Sequence, residues 1–175
     1  MRYFRLSAIL VIVLFVFTSC GWEKVKEENK LLNEAKEETS VFFEYLKNED
    51  IESLSNLFSK NKKDTHNLNE EWKSFFEEID GKITDYDKMA FTETLKNVSK
   101  GEITYLVIQA EFKNVKTDTG QVYSEMEYSK IIKSNHDNSS EGIATFTLWK
   151  EADKYDNPFI IGGNDSKLKE QNSNS

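Results

Sequence analysis

The stretch TYLVIQAEF, residues 104–112, decides the fold, because its side chains divide between two faces with the period of a β-strand. The residues that share one predicted face are Thr104, Leu106, Ile108, Ala110 and Phe112, opposite Ile103, Tyr105, Val107, Gln109 and Glu111. The segment TDTG, residues 117–120, is a tight-turn signal. Residues 121–133 then return as a strand, with Val122, Met126, Tyr128 and Ile132 on one face. The stretch therefore predicts a long β-hairpin.

Weaker strand patterns lie on both sides of this hairpin. Residues 143–150 alternate around Phe146, and residues 158–161 form a short apolar run. Residues 83–91 predict a further strand, although Asp85 and Asp87 weaken its pattern.

Upstream of the strands, the apolar spacing is helical. Leu31, Ala35, Phe42 and Leu46 fall on one stripe of a long helix that begins near residue 22. Asp50 is placed to cap a short helix over residues 51–58, and residues 60–64 are a polar break. Asn67 with Glu70 predicts a capping box for a third helix that ends at Asp80-Gly81. Helices followed by antiparallel strands predict an α+β fold, with the N-terminal helices packed on a curved antiparallel sheet.

The first twenty residues have the pattern of a bacterial lipoprotein signal peptide. Arg2 and Arg5 form its basic start, residues 8–17 are continuously apolar, and Ser19 directly precedes Cys20. The apolar run is about half of the ~20 residues that a transmembrane helix needs. We therefore expect cleavage before Cys20 and lipidation of its thiol, with acyl chains such as palmitate that hold the protein on the extracytoplasmic face of the cell membrane. An ordinary secretory signal is the alternative interpretation.

The charge excludes one class of partner. The chain has 31 acidic and 23 basic residues and a formal net charge of −8, which becomes −10 when residues 1–19 leave with two arginines. Such a protein repels phosphate backbones, so we expect no nucleic-acid partner. Adhesion to an anionic membrane surface is also disfavoured, so membrane association has to come from the lipidated Cys20.

The segments Phe42-Phe43, Asp50 to Leu54, Leu57 to Lys60, and Trp72 to Phe76 carry a family resemblance. In the order of these elements, residues 39–150 resemble a nuclear transport factor 2-like domain. More narrowly, the chain resembles small lipoproteins of low-GC Gram-positive bacteria that carry such a domain and have no assigned activity. The resemblance implies a cone of helices and curved sheet around a cavity.

The resemblance and the signal pattern together divide the chain into four parts. The predicted parts are a signal peptide over 1–19, a lipid anchor and helical tether over 20–38, a cone-shaped α+β domain over 39–164 and a disordered tail over 165–175. One cysteine allows no internal disulfide.

Enzymes on this fold, such as ketosteroid isomerase-like proteins, place an acid or an Asp-His pair in the cavity. His66 and His136 lie in polar sequence, where we expect solvated side chains. Glu111, Glu125 and Glu127 share one face of the predicted hairpin and form a possible acidic site, although the opposite apolar face favours glutamates that point to water. The sequence therefore predicts no catalytic residue, no metal site and no cofactor.

Aromatic side chains are candidates for the lining of an apolar pocket. These candidates are Trp72, Phe76, Phe112, Tyr128 and Phe146. A packed core is the simpler interpretation of the same residues.

Three functions fit these observations. The leading hypothesis is a membrane-anchored binding or interaction module without catalytic activity, whose partner is an unknown protein or a small apolar ligand. The second is a cavity enzyme, such as an isomerase, dehydratase or hydrolase, that uses one of the three glutamates. The third is an immunity or inhibitor protein.

Overall fold

Helices precede strands along the chain. The computed structural model describes residues 26–149 and 158–163, and in these ranges it has four helices and six strands. The helices are α1 (26–47), α2 (Ile51–Asn56), α3 (Lys60–Thr65) and α4 (Leu68–Glu78). The strands are β1 (Ile83–Asp85), β2 (Lys88–Ser99), β3 (Glu102–Thr117), β4 (Val122–Ser134), β5 (Gly142–Trp149) and β6 (Phe159–Ile161). The predicted α+β class is confirmed.

The strands form one open antiparallel sheet with β3 and β4 at its centre. Its order is β1-β3-β4-β5-β6, and β2 pairs with the same edge of β3 as β1 does. The predicted hairpin is confirmed, because β3 ends at Thr117, β4 begins at Val122 and Phe112 lies opposite Met126.

The alternation of β3 is confirmed in its middle and changes at both ends. Asn114 has a φ of 52°, a backbone conformation that asparagine tolerates better than most residues. Beyond it the buried positions move to Val115 and Thr117, and at the start of the strand Ile103 is buried where Thr104 was expected to be. The residues that are fully buried as predicted are Leu106, Ile108, Ala110 and Phe112.

Two strand predictions need correction. Val122 is 47% exposed, because it begins β4 next to the hairpin turn and lies outside the core. The single strand expected over 83–91 is split into β1 and β2. At the break, the Tyr86 ring packs on Phe43 and Phe112, with ring centroids 4.6 and 5.0 Å apart. Packing of this aromatic side chain accounts for the interruption.

The helix termini follow the sequence only in part. The Asp50 side chain accepts a hydrogen bond from Ser53 N at 3.0 Å, so the predicted cap of α2 is confirmed. The predicted capping box is wrong, since the Asn67 side chain makes no cap hydrogen bond. The polar break over 60–64 is also wrong, because these residues lie in α3, whose first turn the Ser59 side chain caps by accepting from Lys62 N.

α1 crosses the sheet, and its N-terminal turns contact the strands. Glu28 pairs with Lys96 of β2 at 2.5 Å, and Glu27 pairs with Lys133 of β4 at 2.8 Å. Both lysines lie opposite Leu106 of β3, so they form one row across the sheet. Most residues of these turns are exposed, as expected for a solvated helix, and the two ion pairs join them to the sheet.

The link between α2 and α3 is hydrogen-bonded to the sheet. Ile143 N of β5 donates to Leu57 O at 2.9 Å, and Ser59 N donates to Ile143 O at 3.0 Å. Gly142 makes this approach possible, because a Cβ there would lie 2.6 Å from Ser59 N. The helical layer is therefore joined to the sheet through the backbone as well as through side chains.

Candidate functional site

The five aromatic candidates for a pocket lie together beside Phe42 of α1. The Phe42 ring lies 4.7 Å from Tyr128, 5.9 Å from Phe146 and 6.5 Å from Phe112, measured between ring centroids. Trp72 lies 4.8 Å from Phe146, and Phe76 stacks on Trp72 at 5.9 Å. Apart from the partly buried Phe76, these side chains are at most 2% exposed. The structure thus places them in the hydrophobic core, where they fill the space between helices and sheet.

A small cavity remains at one side of this core. It has a volume of about 10 Å³, and Tyr128 is the one pocket candidate that borders it, together with Phe42, Leu57 and Ile143. The Tyr128 hydroxyl lies 2.6 Å from Thr39 Oγ1, and Thr39 Oγ1 donates to Ala35 O at 2.8 Å. A cavity of this size admits no organic substrate.

Tyr128 gives the protein a defined response to alkali. Burial raises the pKa of Tyr128 to about 12, although the hydrogen bond to Thr39 opposes the shift. An unfolded chain loses this proton near pH 10, so stability should fall between pH 10 and 12. We expect the wild type to lose about 2 kcal/mol more than Tyr128→Phe between pH 9 and pH 11.5. Urea unfolding at both pH values measures the difference, and equal losses would contradict the assignment.

The three candidate glutamates lie on the sheet face opposite the aromatic core. Glu111 is directly opposite Glu127, and Glu125 is directly opposite Lys113, so the expected cross-strand proximity is confirmed. Lys113 Nζ forms ion pairs with both Glu111 and Glu125. Gln109 Nε2 donates to Glu127 Oε2 at 2.6 Å. The prediction that all three glutamates point to water is wrong for Glu125, which is 2% exposed.

Lys113 decides the chemistry of this cluster. Burial, the largest single effect, lowers its pKa, but the hydrogen bonds and charge interactions that Lys113 makes with Glu111 and Glu125 outweigh that effect and hold the pKa of Lys113 above its usual value. A lysine that stays protonated between two carboxylates offsets one of their two negative charges, and it provides no free general acid or base at neutral pH. The cluster is therefore a structural ion-pair network.

The two histidines differ. His136 is exposed, as expected. The His66 side chain is only 5% exposed, so the prediction of a solvated side chain is wrong there. His66 Nδ1 lies 2.9 Å from Glu71 Oε1, and Glu71 Oε2 accepts from Gly162 N at 2.8 Å. This contact joins the start of α4 to the end of β6.

An open groove with acidic walls lies between α1 and the end of α2. It has a volume of about 350 Å³ and is lined by Glu34, Glu37, Glu38, Val41 and Leu57. Val41 is 45% exposed. These α1 residues have helical i, i+3, i+4, i+7 spacing, and Val41 lies off the buried stripe. That spacing is the signal in the sequence for this wall of the groove.

A partly buried lysine lies beside this groove. Lys130 of β4 borders the small cavity, which shares Glu38 and Leu57 with the groove. Its side chain is 16% exposed and forms an ion pair with Glu38. Burial lowers the pKa of Lys130. The groove thus combines apolar side chains with carboxylates, and one of these, Glu38, forms an ion pair with Lys130 of the adjoining cavity.

Cys20, the predicted lipidation site, and the predicted tail over 165–175 lie outside the described residues. Among the residues that the structure describes, no helix is long and apolar enough to cross a membrane. The same part of the chain contains no group of three or more His, Cys, Asp or Glu side chains suited to a metal ion.

Comparison with known proteins gives a family and no activity. A family model described as "Domain of unknown function (DUF5104)" matches residues 41–151, which is more than half of the chain. This range runs from the second half of α1 through β5 and includes Val41, Leu57 and Lys130. No curated protein matches the chain.

Proposed function

The chain belongs to the DUF5104 family, whose domain has no assigned function, and we propose that it is a lipid-anchored extracytoplasmic module that binds a protein partner in the groove between α1 and α2. In this proposal, lipidated Cys20 holds the protein on the outer face of the cell membrane. The domain itself performs no catalysis. Its fold is the nuclear transport factor 2-like cone, with its interior filled.

The filled interior is the observation that carries this proposal. Phe42, Trp72, Phe112 and Phe146 occupy the space that a cavity enzyme would leave for its substrate, and each is at most 1% exposed. On the opposite sheet face, Lys113 pairs with Glu111 and Glu125, and Gln109 donates to Glu127. Binding at the surface is then the activity that the geometry supports best.

The groove favours a partner segment that is both basic and apolar. Val41 and Leu57 offer apolar contact area, and Glu34 and Glu37 are carboxylates at the mouth. The contact of Glu34 with Lys30 is an exposed pair at 3.7 Å, which solvent and salt weaken. The net charge of −10 that remains without residues 1–19 adds long-range attraction for a basic surface.

Photocrosslinking in the native host tests the groove. A benzophenone amino acid at position 41 should give a discrete crosslinked partner, whereas the same probe at the exposed Val122 should not. Charge reversal by Glu34→Lys with Glu37→Lys should lower the crosslink yield by about tenfold. Equal crosslinking at both positions would contradict the groove as the binding site. A crosslink yield that charge reversal leaves unchanged would contradict it as well.

A cysteine variant expressed in the native host tests the lipid anchor. Cys20→Ala should release the protein from the membrane fraction into the medium, because one thiol carries the lipid. Retention of that variant in the membrane fraction would overturn lipid anchoring.

A further inference from the structure

We propose that the β2–β3 hairpin tip is a membrane-contacting element that lies in the lipid headgroup region and orients the domain on the bilayer. The tip is Val98, Ser99, Lys100, Gly101 and Glu102. This inference rests on the lipid anchor in the proposed function, and it adds a second contact that neither the anchor nor the groove requires.

The tip is a tight turn, with one exposed valine directly before it and an exposed leucine farther back on β2. Lys100 and Gly101 have φ values of 51° and 81°, which match the two-residue turn that joins twisted strands. Val98 is 54% exposed, and Leu95 on the same strand is 50% exposed. Exposed aliphatic side chains at the end of a rigid hairpin can bury area in a bilayer interface with little loss of conformational entropy.

The position of α1 places this tip near the anchor. The pairs Glu28–Lys96 and Glu27–Lys133 fix the first described turn of α1 over the row at Leu106. From Leu106, β3 runs five residues back to Gly101, a distance of ~15 Å at the rise of a strand. Six residue steps separate Lys26 from Cys20, which reach at most ~20 Å. The lipidated cysteine and the tip can therefore meet the same bilayer surface.

Charge does not drive this contact. Lys100 and Glu102 are both exposed and offset each other, so the tip has no net charge for anionic lipids to attract. The contact depends on the short tether and on Val98, because Leu95 lies on the other sheet face and farther from the turn, opposite Val107. Because the protein has a net negative charge, the contact should be at least as strong in zwitterionic as in anionic vesicles.

The opposite end of the sheet provides a matched control. Val122 is a valine of similar exposure, at 47%. It pairs with Lys116, whereas Val98 pairs with Ile103, so thirteen residues of β3 separate the two rows. If the tip lies on the membrane, Val122 lies well away from it.

Site-directed labelling of the lipidated full-length protein tests the proposal. Val98→Cys and Val122→Cys are each purified from a lipidating host, labelled with a polarity-sensitive thiol fluorophore and reconstituted in vesicles with headgroup-nitroxide lipids. We expect the label at position 98 to be quenched by the lipid nitroxide at least about threefold more strongly than the label at position 122. We also expect it to be protected from aqueous iodide.

Three other results would contradict the membrane contact or the lipid anchor. Equal quenching at the two positions, in protein that floats with the vesicles, would overturn membrane contact by the tip and leave the anchor intact. Protection from iodide without lipid quenching at position 98 would also overturn it, and would indicate a protein contact. If wild-type protein accepts label at Cys20 and does not float with the vesicles, Cys20 is not lipidated. That result would overturn both the anchor and the membrane contact of the tip.

Discussion

Replacement of Trp72 with alanine is expected to lower the free energy of unfolding by about 3–5 kcal/mol. Trp72 is fully buried, and its ring contacts the rings of Phe42, Phe58 and Phe75. The side chain lies between α4 and the sheet, so its removal leaves a cavity that neighbours fixed on several elements cannot close. Urea denaturation followed by far-ultraviolet circular dichroism measures the loss.

Two further variants make this test specific to packing. Trp72 Nε1 has no hydrogen-bond partner among the described residues, so Trp72→Phe removes an unsatisfied group together with part of the volume. Trp72→Phe should lower the free energy of unfolding by less than half as much as Trp72→Ala does. Phe76→Ala, in the partly buried ring stacked on Trp72, should also cost less. A loss below about 1.5 kcal/mol for Trp72→Ala would contradict a filled interior and would return the cavity enzyme as a candidate.

The second large effect is expected on the opposite face of the sheet. Lys113→Met should destabilise the protein by about 2–3 kcal/mol, because Glu125 is 2% exposed and loses the ammonium that pairs with it. The value lies below that of a fully buried pair, since the Lys113 side chain is 37% exposed and solvent screens part of the interaction. Urea unfolding at pH 7 measures this loss.

Lys88→Met is the matched control, since Lys88 lies opposite Lys113 on β2 and is exposed. That change should stay within about 0.5 kcal/mol of wild type. Glu125→Gln in the Lys113→Met background should recover part of the loss, because it removes the charge that Lys113 had balanced. If Lys113→Met costs no more than Lys88→Met, the cluster is not structural and its glutamates become candidates for chemistry again.

The pH dependence of this pair has a definite sign. The folded-state pKa of Lys113 is raised above its ordinary 10.5. Its contribution to stability is therefore fully present below pH 10.5, and it is lost as the pH rises through the raised value. The difference between wild type and Lys113→Met should narrow only in that alkaline range.

Local sequence patterns correctly predicted the elements that depend on nearby residues or on one buried face. The buried run from Leu106 to Phe112 and the side-chain cap of Asp50 are present as predicted. Both depend on interactions within a few residues of chain or on one buried face. α3 was missed because none of its residues is buried, so it has no amphipathic pattern.

The features missed near the candidate sites depend on contacts between distant residues. Glu125 is buried because the hairpin register places Lys113 across from it. His66 is sequestered by Glu71, which also holds the backbone of Gly162 about ninety residues away. The groove is shared by α1 and the end of α2, so the pattern of one helix could indicate only one of its walls. Such features follow from tertiary arrangement, which periodicity does not encode.

The backbone link between Leu57, Ser59 and Ile143 determines how the groove can respond to a partner. Leu57 forms one wall, and its carbonyl is tied to β5. The other wall is α1, which Glu27 and Glu28 hold to β4 and β2. With both walls attached to the same sheet, the groove has no hinge on which to open or close. For the partner that we propose, we therefore expect lock-and-key recognition on this side, with any folding on binding confined to the partner.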